Sequence, residues 1–135
     1  MTTEKSLQHY GMHIGIAFQL IDDVLDYDGD TQTMGKNIGD DLAEGKPTLP
    51  LIYAMEKGDN DQSRKIKEVL QQKNVSEKAL HEVIQVVRES GALDYTRKLA
   101  RQQAAAAMDS LKSIEKSAFR EALISMAEFS LRRSN

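Results

Sequence analysis

The 135-residue sequence has no cysteine, only two prolines and few aromatic residues. Without cysteine there can be no disulfide, zinc–thiolate site or cysteine nucleophile. Few prolines mean few helix breaks, and residues 4–28 contain none. No apolar run approaches the roughly 18 residues of a membrane span. The opening "MTTEKSLQ" has no hydrophobic signal-peptide region, so a cytoplasmic protein is expected. An excess of positive charge is also lacking. The net charge of -3 gives no reason to expect a nucleic-acid partner.

What is present points to a helical, soluble chain. Hydrophobic residues make up 40% and charged residues 29%, a globular rather than a disordered balance. The length suits one domain spanning 1–135, with its own core and no internal boundary. Ala, Leu, Glu, Lys, Gln and Met are plentiful and no strand pattern competes, so the expected fold class is all-α, a helical bundle. One long helix is expected over 4–28, capped by Thr2 or Thr3. The polar, glycine-spaced "DGDTQTMGKNIGDDLAEGK" follows. A loop of about 18 residues in a compact domain is usually functional or disordered. A helix then begins after Pro47 and ends at Gly58. Two amphipathic helices come next, the first capped by Asp61 or Asn60, the second by Ser76 and ended by Gly91. A longer helix carries Leu93, Leu99, Ala100, Ala104, Ala107, Met108 and Leu111 near helical spacing. Its four alanines at 104–107 suggest close helix packing. The last helix sets Phe119, Leu123, Met126, Ala127 and Ser130 on one stripe.

The chemistry concentrates in "AFQLIDDVLDYDGD", Ala17 to Asp30. At about 100° per residue, with Asp22 at zero, Asp26 falls near 40°, Gln19 near 60° and Asp23 near 100°. Ile14, Phe18, Ile21 and Leu25 flank this sector, and Ile16, Ala17, Leu20 and Val24 cover much of the remainder. A narrow acidic stripe on a largely apolar helix suggests carboxylates facing an interior cavity. Clustered carboxylates away from water need a cation, several donors or protonation. Asp22 and Asp26, at i and i+4, can reach one ion or ion cluster. Hard oxygen ligands suit Mg²⁺, which takes one or two carboxylates and fills its shell with water and substrate phosphates. Lys36 and Lys46 in the following loop can act as point charges on phosphate oxygens. The plain alternative is a solvated acidic edge. An EF-hand is excluded, because a loop starting at Asp28 has Thr33 at position six and Gly39 at position twelve. A ferritin-like di-iron site is excluded by the lack of any Glu-x-x-His. His9, His13 and His81 suit ordinary surface or core roles, and no nucleophilic triad can be assembled.

The stretch "GMHIGIAFQLIDDVLDYDGDTQTMGKNIGDDLAEGKPTLPL" resembles the second aspartate-rich region of the all-trans polyprenyl diphosphate synthases. The ordered elements are F-Q, D-D-x-x-D, G-K, G-D-D and E-G-K-P-T-L-P. A weaker likeness continues through "GALDYTRKLARQQAAAAMDSL" to the C-terminus, and the pattern is most similar to the octaprenyl branch of quinone biosynthesis. The resemblance implies the C-terminal part of the isoprenoid synthase fold, a helical bundle around an apolar cavity, usually as a homo-oligomer. It implies an enzyme that condenses isopentenyl diphosphate with an allylic diphosphate, using Mg²⁺. Carried onto this chain, Asp22, Asp23 and Asp26 would be the metal ligands. Phe18, Gln19, Lys36, Asp40 and Lys46 would contact substrate, with Lys36 also aiding departure of the diphosphate. Asp41 and Glu44 suit loop structure. The family's first aspartate-rich motif has no counterpart here, since the only D-D pairs are at 22–23 and 40–41. The chain is therefore expected to be a C-terminal half that is inactive alone. A non-catalytic interaction subunit of a heteromeric synthase is the alternative from another class.

Overall fold

A computed structural model of the chain describes residues 2–28, 38, 48–72 and 75–133. Among these, every regular element is a helix. They are α1 (Thr3–Asp28), α2 (Leu49–Lys57), α3 (Asn60–Leu70), α4 (Glu77–Glu89), α5 (Ala92–Ser110) and α6 (Ala118–Arg133). None of the described helices is long and apolar enough to cross a membrane.

Local signals account for the boundaries. Thr2 Oγ1 accepts from the Lys5 amide at 3.2 Å and opens α1. Pro50 lies in the first turn of α2, where its missing N–H costs nothing. The cap of α3 is Asp59, not Asn60 or Asp61. Its carboxylate accepts from the Gln62 amide at 2.8 Å, and Gln62 Oε1 accepts from the Asp59 amide at 3.0 Å. This reciprocal pair is a capping box. Ser76 caps α4 as expected, accepting from the Ala79 amide at 3.1 Å. Gly91, just past α4, has φ +84°, a conformation that glycine adopts without a Cβ penalty.

The chain forms two compact units. Unit one comprises Met1–Asp22 and Arg97–Asn135, and unit two comprises Asp23–Thr96. In unit one, Tyr10 and Ile14 of α1 pack with Ala107 of α5, Leu111 and Ala127 of α6. Of the four alanines at 104–107, Ala104 and Ala107 are fully buried, Ala106 is half-buried and Ala105 is exposed, and Ala100 one turn earlier is also fully buried. Polar contacts fix the register. Ser6 Oγ and Ser113 Oγ are 2.8 Å apart, and His13 Nδ1 donates to Gln103 Oε1 at 2.7 Å. These pairs set α1 antiparallel to α5. Only part of the expected α6 stripe is internal. Leu123, Ala127 and Ser130 face the core, whereas Phe119 and Met126 are exposed. The buried Ser130 hydroxyl is satisfied by donating to the Ala127 carbonyl at 2.6 Å.

Tyr10 is buried and donates to the Leu123 carbonyl at 2.6 Å. Burial raises its pKa above the usual 10.0, because ionisation would leave a phenolate in apolar surroundings. A raised folded-state pKa gives stability that is intact below the unfolded value and lost as pH rises through the folded one. Tyr10→Phe is therefore expected to lower stability at pH 7 by about 1 kcal/mol, the net worth of one hydrogen bond. It should also flatten the alkaline loss of stability that begins near pH 10. Chemical denaturation at pH 7 and above pH 10 checks both. A larger deficit for the variant at high pH would contradict the assignment.

Unit two is built by α2, α3 and α4, which pack on one another. Its core includes Leu51, Ala54, Ile66, Val83 and Val87, together with Tyr27 from the last turn of α1. Ile38 is also buried there, 2% exposed. The Tyr53 and Tyr95 rings stack at 4.5 Å and 25°.

Candidate functional site

The acidic segment lies within α1, which runs unbroken through Asp22, Asp23 and Asp26 to Asp28. The apolar residues between the acids anchor it, because Ala17, Ile21 and Val24 are fully buried. Phe18 is half-buried and packs against the unit-one core. Gln19 and Asp22 are exposed, Asp26 is half-buried, and Asp23 is 7% exposed. None of these five residues lacks an interaction. The acids thus share one helix end but have graded exposure. Asp23 lies about 100° around the helix from Asp22, and the two differ in exposure accordingly as neighbours cover one position and not the other.

Among the described residues, one face of α1 that the sequence suggested would be internal is exposed. Gly11, Met12, Gly15, Ile16, Gln19, Asp22 and Leu25 are all exposed. Nothing lies within 4 Å of a Cβ built at Gly11 or Gly15.

The acidic motif lies toward the C-terminal end of α1. A helix C-terminus carries about half a negative charge. Asp22, Asp23 and Asp26 lie in its last two turns, and the last turn contains no basic residue. Among the described residues, no three histidine or acidic side chains form a ready-made metal cluster. This donor set is too sparse for an all-protein cage. It fits a Mg²⁺ ion that takes one or two carboxylates and completes its shell with water and phosphate. Lys36, Asp40 and Lys46, also expected at the site, lie outside the described residues, as do Asp41 and Glu44.

One contact at this helix end was not anticipated. Arg88 of α4 donates Nε–H to the Tyr27 carbonyl at 2.9 Å. The two residues are 61 positions apart, so no local pattern signals their meeting.

Comparison with known proteins places this chain in a family. The polyprenyl synthetase family model matches residues 1–87, and the chain belongs to that family. It is 47% identical over 131 residues to the octaprenyl diphosphate synthase of Haemophilus influenzae, covering 97% of this chain and 40% of that protein. The Escherichia coli octaprenyl diphosphate synthase is 44% identical over 130 residues, covering 96% and 40%. A polyprenyl synthase from Caulobacter crescentus, solved with calcium and isoprenyl diphosphate, superposes with a TM-score of 0.83 at 37% identity. That match covers 97% of this chain and 40% of the other. The all-α isoprenoid synthase fold follows from these structural matches. The chain spans about 40% of the length of the curated relatives it matches.

Proposed function

We propose that this chain carries the second acidic jaw of a prenyltransferase that condenses isopentenyl diphosphate with an allylic diphosphate. The observation that carries the proposal is the set of D-D-x-x-D aspartates at the negative end of α1, one of them buried, with no basic residue in that turn. Such an end is stabilised by a divalent cation and, through it, by a diphosphate. Bound Mg²⁺ would supply electrostatic stabilisation of the charge that builds on the departing diphosphate. Asp22, Asp23 and Asp26 would hold the metal, directly or through water. Gln19 and Phe18, one turn upstream of Asp23 and Asp22 respectively, would meet the allylic substrate. Lys36 and Lys46 would place point charges on phosphate oxygens, and Asp40 would order metal-bound water or a lysine. The names of the octaprenyl relatives support a long polyprenyl product, and our reading adds quinone side chains as its destination, a cytoplasmic location and a homo-oligomer.

The 135 residues alone are expected to be inactive. They hold one D-D-x-x-D motif, and one jaw cannot clamp a diphosphate on two sides. Incubation with Mg²⁺, farnesyl diphosphate and isopentenyl diphosphate should give no elongated product by thin-layer radiochromatography. Clear chain elongation would refute the half-site proposal.

A further inference from the structure

His9 and His13 stand one turn apart on α1, and the acidic motif makes no use of them. Their i, i+4 spacing puts the two Cβ atoms about 5–6 Å apart on one helix face. His9 is exposed and His13 is half-buried. The His13 ring is held in place, because its Nδ1–H donates to the Gln103 amide oxygen of α5 at 2.7 Å. An amide oxygen only accepts, so the proton sits on Nδ1 and Nε2 keeps its lone pair. All three residues belong to unit one, where the Ser6–Ser113 contact at 2.8 Å also ties α1 to the chain beyond α5. Metal-binding histidines characteristically donate their other ring N–H to an oxygen, which fixes the ring and raises its basicity. The remaining histidine, His81, is exposed and has no histidine one turn away.

We propose that His9 and His13 chelate a divalent transition ion of the Zn²⁺, Ni²⁺ or Cu²⁺ class, with Gln103 as the positioning residue. Neutral imidazole nitrogen suits these ions, whereas Mg²⁺ takes oxygen. The pair is therefore chemically distinct from the aspartate motif. It is also separate in space, since His13 and Asp22 are nine positions apart on one helix, about 14 Å along its axis. Among the described residues, no third histidine or acidic side chain joins the pair, so water completes the shell. Structural zinc sites use four protein ligands and catalytic sites three. A two-histidine site holds its ion more weakly and exchanges it with solution. A bound ion bridges successive turns of α1, and by preferring the helix to the unfolded chain it stabilises the fold through mass action. Nothing in this site depends on the prenyltransferase reading.

The test titrates Zn²⁺ alone, without diphosphate, into the intact 135-residue chain. Calorimetry reads affinity and stoichiometry, and imidazole ¹⁵N NMR reads which ring nitrogens bind. One ion per chain is expected, with the Nε2 signals of His9 and His13 shifting together and His81 unmoved. Mg²⁺ at the same concentration should shift no imidazole signal. His9→Ala should weaken binding by about 10²-fold, the gain that an intramolecular second contact supplies. Gln103→Leu should weaken it by about tenfold, as loss of an orienting partner does. Gln103→Glu, which keeps an oxygen acceptor, should bind at least as tightly as the unaltered chain. Circular dichroism without metal confirms that each variant keeps its helices. Full affinity in His9→Ala, or an equal response of His81, would overturn the proposal and leave adventitious binding to surface imidazole. One ion per two chains would also overturn it, making the ion a bridge between copies. Undiminished affinity in Gln103→Leu, or equal loss in Gln103→Glu, would overturn the positioning role of Gln103.

Discussion

Asp22→Ala is expected to lower prenyl transfer by about 10³-fold while leaving thermal stability equal or slightly raised. The activity can be measured in a chimera in which these residues replace the matching 40% of the Haemophilus influenzae octaprenyl diphosphate synthase. Loss of an interaction that stabilises a leaving group in a dry site typically costs 10²–10³-fold, and loss of a metal ligand sits at the upper end. The stability expectation has the opposite sign for a separate reason. Asp22 is exposed and adds one more negative charge to an acidic segment of α1. Alanine is also the better helix former. A residue kept against local stability and needed for turnover is typical of functional sites. Steady-state kinetics with both diphosphates and a thermal melt of the same samples check the two halves. A chimera that loses activity in step with its melting temperature would show Asp22 to be structural. Full activity in Asp22→Ala would remove it from the metal site.

The sequence carried the helices better than it carried their faces. α1, the Ser76 cap and Gly91 stood out because each depends on chemistry local in the chain. The α3 cap was misplaced by one or two residues because Asp59, Asn60 and Asp61 are all cap-competent. The deciding signal was present, since only Asp59 has a glutamine three residues later, Gln62. In α6, two apolar stripes overlap. Periodicity finds apolar positions but does not say which stripe meets a neighbour, so exposed Phe119 and Met126 were grouped with internal Leu123 and Ala127. The acidic motif was legible as residue type and spacing. Its graded exposure was not, because burial of Asp23 depends on packing by residues distant in sequence. The same holds for Tyr10 with Leu123, 113 positions apart, and for Arg88 with Tyr27. Lys36, Asp40 and Lys46 remain expectations of the motif, outside the described residues.

Leu51→Ala should be the most damaging single core truncation in unit two, and its effect should extend to the acidic helix end. Leu51 is 1% exposed and shares a cluster with Ala54, Ile66, Val83 and Tyr27. Removing its three outer carbons loses transfer free energy and leaves a cavity, together about 2–5 kcal/mol. Whole domains are stable by only about 5–15 kcal/mol, so a large share of the folded population is at risk. Helix propensity cannot rescue it, since alanine exceeds leucine by only a small fraction of that amount. The consequence for function runs through Tyr27. Its ring is part of the cluster that Leu51 supports, and its carbonyl is the acceptor that Arg88 grips. A loosened core should release both restraints on the turn that bears Asp23 and Asp26. Urea denaturation should show a midpoint shift corresponding to about 3 kcal/mol, and amides of Asp26–Asp28 should exchange faster under native conditions. Phe129→Ala is the matched control. Phe129 is 53% exposed, and surface changes of this kind usually fall within about 0.5 kcal/mol. Equal destabilisation by the two substitutions, or unaltered exchange at the end of α1 in Leu51→Ala, would show that the unit-two core does not hold the acidic turn in place.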